Sequence, residues 1–116
     1  MHGMGATVID VAREFTVRLQ AFGREFEGVL DTAFVEHVPP RNQLRLTTLL
    51  ARDGDHAAED SLAHLELEVE RSFKEIPLAF STIHLRGRPP ADFIPAEALV
   101  IFGDSARRRA DAVVSR

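Results

Sequence analysis

Apolar side chains recur every three or four positions between residues 58 and 76. This spacing matches the period of an α-helix, about 3.6 residues, and places the apolar side chains in one stripe. The stripe consists of Ala58, Leu62, Leu65, Val69, Phe73 and Ile76. Such a helix is stable only when its stripe is buried against another layer of structure. We therefore predict a helix over 56–75 that packs on a sheet, which is the strongest restriction that this sequence places on its fold.

Two segments fit both a helix and a strand. The sequence LELEVE, residues 65–70, alternates like a strand, but its glutamates favour a helix. The N-terminal segment 7–22 carries a helical stripe, whereas residues 15–19 within it alternate like a strand and are rich in β-favouring residues. Because the helical spacing covers more residues, we predict a helix over 7–22 as well.

Four segments are predicted to be strands, because β-branched, aromatic and other apolar residues are frequent in them. They are residues 29–38, 44–50, 78–86 and 98–102. The turn sequence PPRNQ separates the first two segments, which predicts a hairpin. The last segment, ALVIF, is continuously apolar, which is typical of a strand buried on both faces.

The predicted order is α-β-β-α-β-β-α, with a short final helix over 105–114. Hairpins combined with helices that cross one face of a sheet predict an α+β fold, a small two-layer α/β sandwich. A ferredoxin-like arrangement is the simplest candidate, and another small α/β sandwich is the alternative. The 116 residues suffice for one domain, 1–116, and we expect residues 1–6 and 110–116 to be disordered.

Composition excludes several classes of function. The chain has no cysteine, which excludes disulfides, thiolate metal sites and iron–sulfur clusters. It also lacks the phosphate-binding loop sequence of P-loop nucleotide sites. A net charge of −4 disfavours nucleic-acid binding, and no apolar run approaches the roughly 20 residues of a membrane span.

The remaining general features favour a cytoplasmic protein. The N-terminus lacks the basic start and apolar run of a secretory signal. Lys74 is the only lysine beside many arginines and alanines, a usage associated with GC-rich bacterial genomes. We therefore expect a bacterial, cytoplasmic protein that binds neither a membrane nor a nucleic acid.

The sequence DGDHAAED, residues 53–60, is the first candidate site. His56, Asp60 and His64 are spaced four apart, so that neighbouring side chains meet on a helix and form a candidate divalent-metal site. The alternative is the acidic start of a solvated helix, because carboxylates near a helix N-terminus complement its dipole. The three side chains lie opposite the apolar stripe and point to solvent, so a metal bridging two subunits is the version that this placement favours.

The end of the third predicted strand is the second candidate site. His84 is the candidate acid or base of a small enzyme, and such an enzyme requires His84 to line a concave pocket. Arg86 and Arg88 flank a glycine just after the strand, a geometry suited to holding an anionic substrate. The alternatives are a histidine satisfied within the fold and a solvated turn.

No catalytic motif dominates the chain, so the first hypothesis is a non-catalytic binding or assembly module for a protein partner or a small ligand. We expect it to be a homo-oligomer, because small sheets have edges that self-association covers. The enzyme that uses His84 at a subunit interface and the metal-binding protein are the two alternatives.

Overall fold

The computed structural model describes residues 7–38, 43–52 and 56–103. Its elements are α1 Val8–Glu25, β1 Leu30–Val38, β2 Gln43–Leu50, α2 His56–Ser72, β3 Leu78–His84 and β4 Leu99–Phe102, with one turn of 3-10 helix at Pro90–Asp92. The predicted α+β fold is confirmed, with each described element close to its predicted range. The predicted helix over 105–114 and the ends at 1–6 and 110–116 lie outside the described residues. Neither α1 nor α2 is long and apolar enough to cross a membrane.

The strands form one mixed sheet in the order β3-β2-β1-β4. β1 pairs antiparallel with both β2 and β4, which confirms the predicted hairpin. β2 and β3 are neighbours and run parallel, with α2 as the crossover that a parallel pair requires. The arrangement therefore differs from the ferredoxin-like candidate, in which another strand separates the two parallel strands of the βαβ unit.

α1 begins with a capping box and ends three residues later than predicted. The backbone N–H of Asp10 donates to Thr7 Oγ1 at 3.3 Å, and the backbone N–H of Thr7 donates to Asp10 Oδ2 at 2.9 Å. The prediction ended the helix before Gly23, but α1 continues through this residue. A Cβ atom at Gly23 would lie 3.3 Å from the ring of Phe102, so the glycine gives that ring room to pack on the helix.

Both helices pack on the same face of the sheet and form the larger hydrophobic core. This core contains Val11, Phe15, Leu19 and Phe22 of α1, Leu62, Leu65 and Val69 of α2, and Ala33, Val35, Leu44 and Leu46 of the strands. The apolar stripe that predicted α2 is thus the surface that α2 buries. The period of two in each strand divides the apolar side chains between this face and the opposite one.

The opposite face of the sheet carries a smaller core beneath the segment 85–98. Phe34, Leu49 and Val100 pack there with Leu85 and Ala98, and Phe93 and Ile94 lie against them. The prediction that β4 is buried on both faces holds for most of the strand, because Val100 packs in the smaller core while Ile101 and Phe102 pack against the larger one. β4 is an edge strand, and its Leu99 side chain is 44% exposed. The faces of a strand are buried by the layers above and below the sheet, so an edge strand can contribute to both cores and still expose one residue.

Candidate functional site

A cavity of about 220 Å³ lies between α2 and the sheet, at the C-terminal end of β3. Its walls are largely apolar, with a few polar groups among them. It is lined by Phe22, Val29, Leu50, Ala58, Glu59, Leu62, Ala63, Glu66, Thr82 and His84. A concave apolar site with few polar groups is the usual form of a small-molecule site.

The sequence forms this cavity through side-chain size and strand period. In the first half of α2 the cavity is lined by Ala58 and Ala63, and these short side chains leave space against the sheet. In the second half of α2, the larger apolar side chains of Leu65 and Val69 are buried in the core. The period of two along β3 turns Thr82 and His84 toward the helices, while Ile83 between them packs on the opposite face.

Glu66 is the unusual group of the cavity. Its Oε2 atom is buried and accepts no hydrogen bond from any of the described residues. Burial disfavours the charged carboxylate and raises the pKa of Glu66 from 4.5 to about 7. The Glu66 carboxyl group therefore changes its charge near neutral pH, inside an apolar cavity, which is the environment of many ligand-binding and catalytic carboxyl groups.

Glu66 is expected to make the stability of the fold depend on pH. Its pKa is higher in the folded chain than in the unfolded chain, so the folded state binds this proton more tightly. The resulting stabilisation is complete below pH 4.5 and is lost as the pH rises through about 7. Because Glu66 is only partly buried and solvent screens its charge, we expect the loss to be about 1–2 kcal/mol.

Urea unfolding at pH 5 and pH 8 measures this effect. The free energy of unfolding of the parent protein should fall by more between the two pH values than that of the Glu66→Gln variant. Glu70→Gln is the matched control, because Glu70 lies exposed on the same helix. Equal pH dependence in the parent and the Glu66→Gln variant would contradict the assignment.

Thr82, which lines the cavity with His84, shares a hydrogen bond with the hydroxyl of Thr48. The Oγ1 atoms of Thr48 and Thr82 are 3.3 Å apart, so one hydroxyl donates to the other across β2 and β3. Thr48 is fully buried, and its hydroxyl lies 3.5 Å from the carbonyl oxygen of Ser81. The Nδ1 atom of His84 is buried as well. His84 thus lines a concave pocket, as the enzyme hypothesis required.

The two arginines after β3 do not line this cavity. Arg88 donates from Nη2 to Asp92 Oδ2 at 3.2 Å, and its guanidinium lies 4.9 Å from the centre of the Phe93 ring. Arg86 is exposed, in the left-handed backbone region at a φ of 51°. Arg88 therefore contacts residues of its own loop. The structure does not bring Arg86 and Arg88, the predicted anion-binding pair, close to the polar groups that line the cavity with His84.

The predicted metal ligands lie on the exposed face of α2. The Nδ1 atom of His56 is 3.7 Å from Glu59 Oε1, and the Nε2 atom of His64 is 4.0 Å from Glu68 Oε1. Asp60 is exposed between them. Within the described part of the chain, no group of three or more His, Asp or Glu side chains is placed to hold a metal ion. The acidic first turn of α2 accounts for this cluster within one chain, and the bridging metal stays a prediction.

Sequence reasoning missed Glu66, although a signal for it exists. Glu66 lies one helical turn after Leu62 and one turn before Val69, so it borders the apolar stripe of α2. A charged residue at the border of a stripe usually points its head to water along the surface. Only the position of β3 shows that this border faces a cavity rather than solvent.

Comparisons with known proteins add no family. No protein-family profile matches the chain, and no curated protein matches it. One solved structure similar to it is a chain of the toxin–antitoxin complex MntA-HepT, with 11% identity and a TM-score of 0.42 over 89% of this chain and 84% of that chain. Another, from Shewanella oneidensis, has 11% identity and a TM-score of 0.44 over 85% and 78% of the two chains. These similarities are too low to indicate a function.

Proposed function

We propose that this domain is a binding module that takes a small molecule into the cavity between α2 and β3. The observation that supports this proposal is the buried Glu66 Oε2 atom, which accepts no hydrogen bond from the described residues. A buried polar atom without a partner costs about 1–3 kcal/mol, and native proteins contain few of them. A ligand that donates a hydrogen bond to this oxygen removes the cost, which gives the binding its energy and its orientation.

The apolar walls supply the rest of the affinity. Leu50 and Phe22 present apolar surface to the cavity from two different elements, and Leu62 does so from α2. Apolar ligand surface removed from water contributes about 25 cal/mol per Å². A ligand with an apolar body and one donor group therefore fits the cavity better than a highly polar one.

Two variants, each with one alanine of α2 replaced by leucine, test the site. Ala63 is exposed and lines the cavity, so Ala63→Leu should close the entrance without disturbing the buried core. Ala57→Leu is the control, since Ala57 is exposed on the same helix and does not line the cavity. Benzyl alcohol serves as the neutral probe in a titration followed by amide chemical shifts in NMR.

We expect benzyl alcohol to shift the signals of the lining residues in the parent protein and in Ala57→Leu. The affinity of the Ala63→Leu variant for benzyl alcohol should be about tenfold lower, which is equivalent to about 1.4 kcal/mol. Equal binding by the two variants, or shifts confined to residues away from the cavity, would rule out this binding site.

An enzyme is the second candidate, because the polar side chains that line the cavity with Glu66 favour it. His84 and Thr82 line the same cavity, and the pKa of Glu66 is raised to about 7, which suits a general acid or base at neutral pH. In such an enzyme Glu66 and His84 would both act as candidate acid or base groups, and Arg86 and Arg88 would not contact the substrate. An enzyme would convert its bound ligand, so the NMR spectrum of the ligand over hours separates the two candidates.

Self-association extends the proposal from a binding module to an assembly. β3 and β4 are the edges of the described sheet, and edge strands are open to pairing with another chain. Native mass spectrometry of protein purified without chelators reports the oligomeric state and any metal held between subunits. A monomer without bound metal would contradict both self-association and a metal held between subunits.

A further inference from the structure

The charged and titratable groups of the cavity have an uneven distribution. α2 supplies Glu59 and Glu66, and β3 supplies His84. The other elements around the cavity contribute apolar side chains, from Phe22 on α1, Leu50 on β2 and Val29 before β1. None of the described residues that line the cavity is lysine or arginine. The cavity is therefore apolar with an acidic side.

We propose that the ligand is a compact organic cation with an apolar body, whose ammonium group donates a hydrogen bond to the carboxylate of Glu66. The proposal rests on the proposed function, because it names the class of ligand that the same cavity takes. The ammonium group pairs with the buried charge, and the apolar body lies against the side chains from α1, β2 and α2. Glu59 lines the same cavity and adds to its negative potential.

A cation fits this site better than an anion or a neutral molecule. An anion would meet Glu66 and Glu59 with no lining arginine to offset their charge, since Arg88 is held by Asp92. A neutral donor satisfies the Oε2 atom but leaves the ionised carboxylate without an opposite charge. A charge-assisted hydrogen bond is roughly twice as strong as a neutral one. The carboxylate therefore selects for a positive group.

The volume of the cavity limits the size of the ligand. A dry cavity of about 150 Å³ is known to hold benzene. At about 220 Å³, this cavity has room for one ring and a short arm that carries the ammonium group. Benzylammonium has this shape, and benzyl alcohol and benzoate share its ring and arm with a neutral and a negative end. These three probes differ mainly in charge.

The binding of a cation should depend on pH through the lining groups. As the pH rises from 5.5 to 8, Glu66 loses its proton and gains the charge that attracts the ligand. His84 lines the same cavity from β3, and Glu59 lines it from α2. Because the charge on Glu66 attracts the cation, binding is expected to strengthen toward pH 8.

Titration of the full chain with the three probes, at pH 8 and pH 5.5, tests the proposal by NMR or calorimetry. At pH 8 we expect benzylammonium to bind about tenfold more tightly than benzyl alcohol, and benzoate to bind most weakly. At pH 5.5 the preference for the cation should shrink to about twofold or less. Glu66→Gln should lose the preference at pH 8 and keep its affinity for benzyl alcohol, while the control Glu70→Gln keeps the preference.

The outcomes separate the two proposals. If benzyl alcohol or benzoate binds as tightly as benzylammonium at pH 8, the cation proposal is overturned and the binding cavity stands. If benzylammonium still binds equally well to Ala63→Leu, it binds elsewhere on the acidic surface, which also overturns the cation proposal. If none of the three probes binds, both proposals fail.

Discussion

Replacing Phe15 with alanine is expected to lower the free energy of unfolding by about 3–5 kcal/mol. Phe15 is fully buried on the inner face of α1, and its ring meets the ring of Phe80 edge to face, with centres 6.0 Å apart. Truncation removes this aromatic pair and leaves a cavity at the contact between α1 and the sheet. Domains of this size have a stability of about 5–15 kcal/mol, so the loss is a large part of the total.

Urea unfolding followed by circular dichroism measures this change. Val17→Ala is the matched control, because Val17 lies on the same helix and is 57% exposed. Its effect should stay within about 0.5 kcal/mol, as is usual for surface substitutions. A loss of less than about 1 kcal/mol for Phe15→Ala would mean that α1 does not pack on the sheet in the way described.

Replacing Gly103 with alanine is expected to cost about 2–4 kcal/mol, for two separate reasons. Gly103 follows β4 directly and has a φ of 108°, which a residue with a Cβ adopts only under strain. An added Cβ atom would also lie 2.5 Å from the carbonyl oxygen of Asp31 and 3.0 Å from Thr32 Oγ1. The oxygen belongs to the backbone of β1, so relief requires the end of β4 to move away from its partner strand.

Gly87→Ala separates the two causes. Gly87 has a similar φ of 85°, but nothing lies within 4 Å of an added Cβ atom there. This variant should lose only the conformational part, about 1–2 kcal/mol. The two variants are compared by their urea midpoints at the same slope. Equal losses would show that the contact between Gly103 and β1 does not contribute.

Glu66 links the stability of the domain to its proposed function. A carboxyl group that burial holds near a pKa of 7 weakens the fold above that pH, and a ligand that pairs with it returns the lost stability. Proteins often retain a destabilising group where binding or catalysis needs it. The Glu66→Gln variant is therefore expected to be more stable than the parent at pH 8 while it loses the preference for a cation.

The sequence determined the local elements of this protein and their order. The period of the apolar side chains in α2 decided its type and the face that it buries, because both depend on residues only a few positions apart. The same reasoning placed the hairpin of β1 and β2, which a short turn joins. The strand period likewise determines that His84 and Ile83 lie on opposite faces of β3, since alternate residues of a strand point to opposite sides.

Only the tertiary structure decided which elements became neighbours. β3 pairs with β2 in parallel and β4 occupies the edge, and these choices depend on contacts between residues far apart in the chain. They turn the border position of Glu66 toward a cavity, and they leave Arg88 to pair with Asp92 in its own loop. The physical reason is that burial, and with it the pKa of a carboxyl group, is set by what lies opposite a side chain rather than by the residues beside it in sequence.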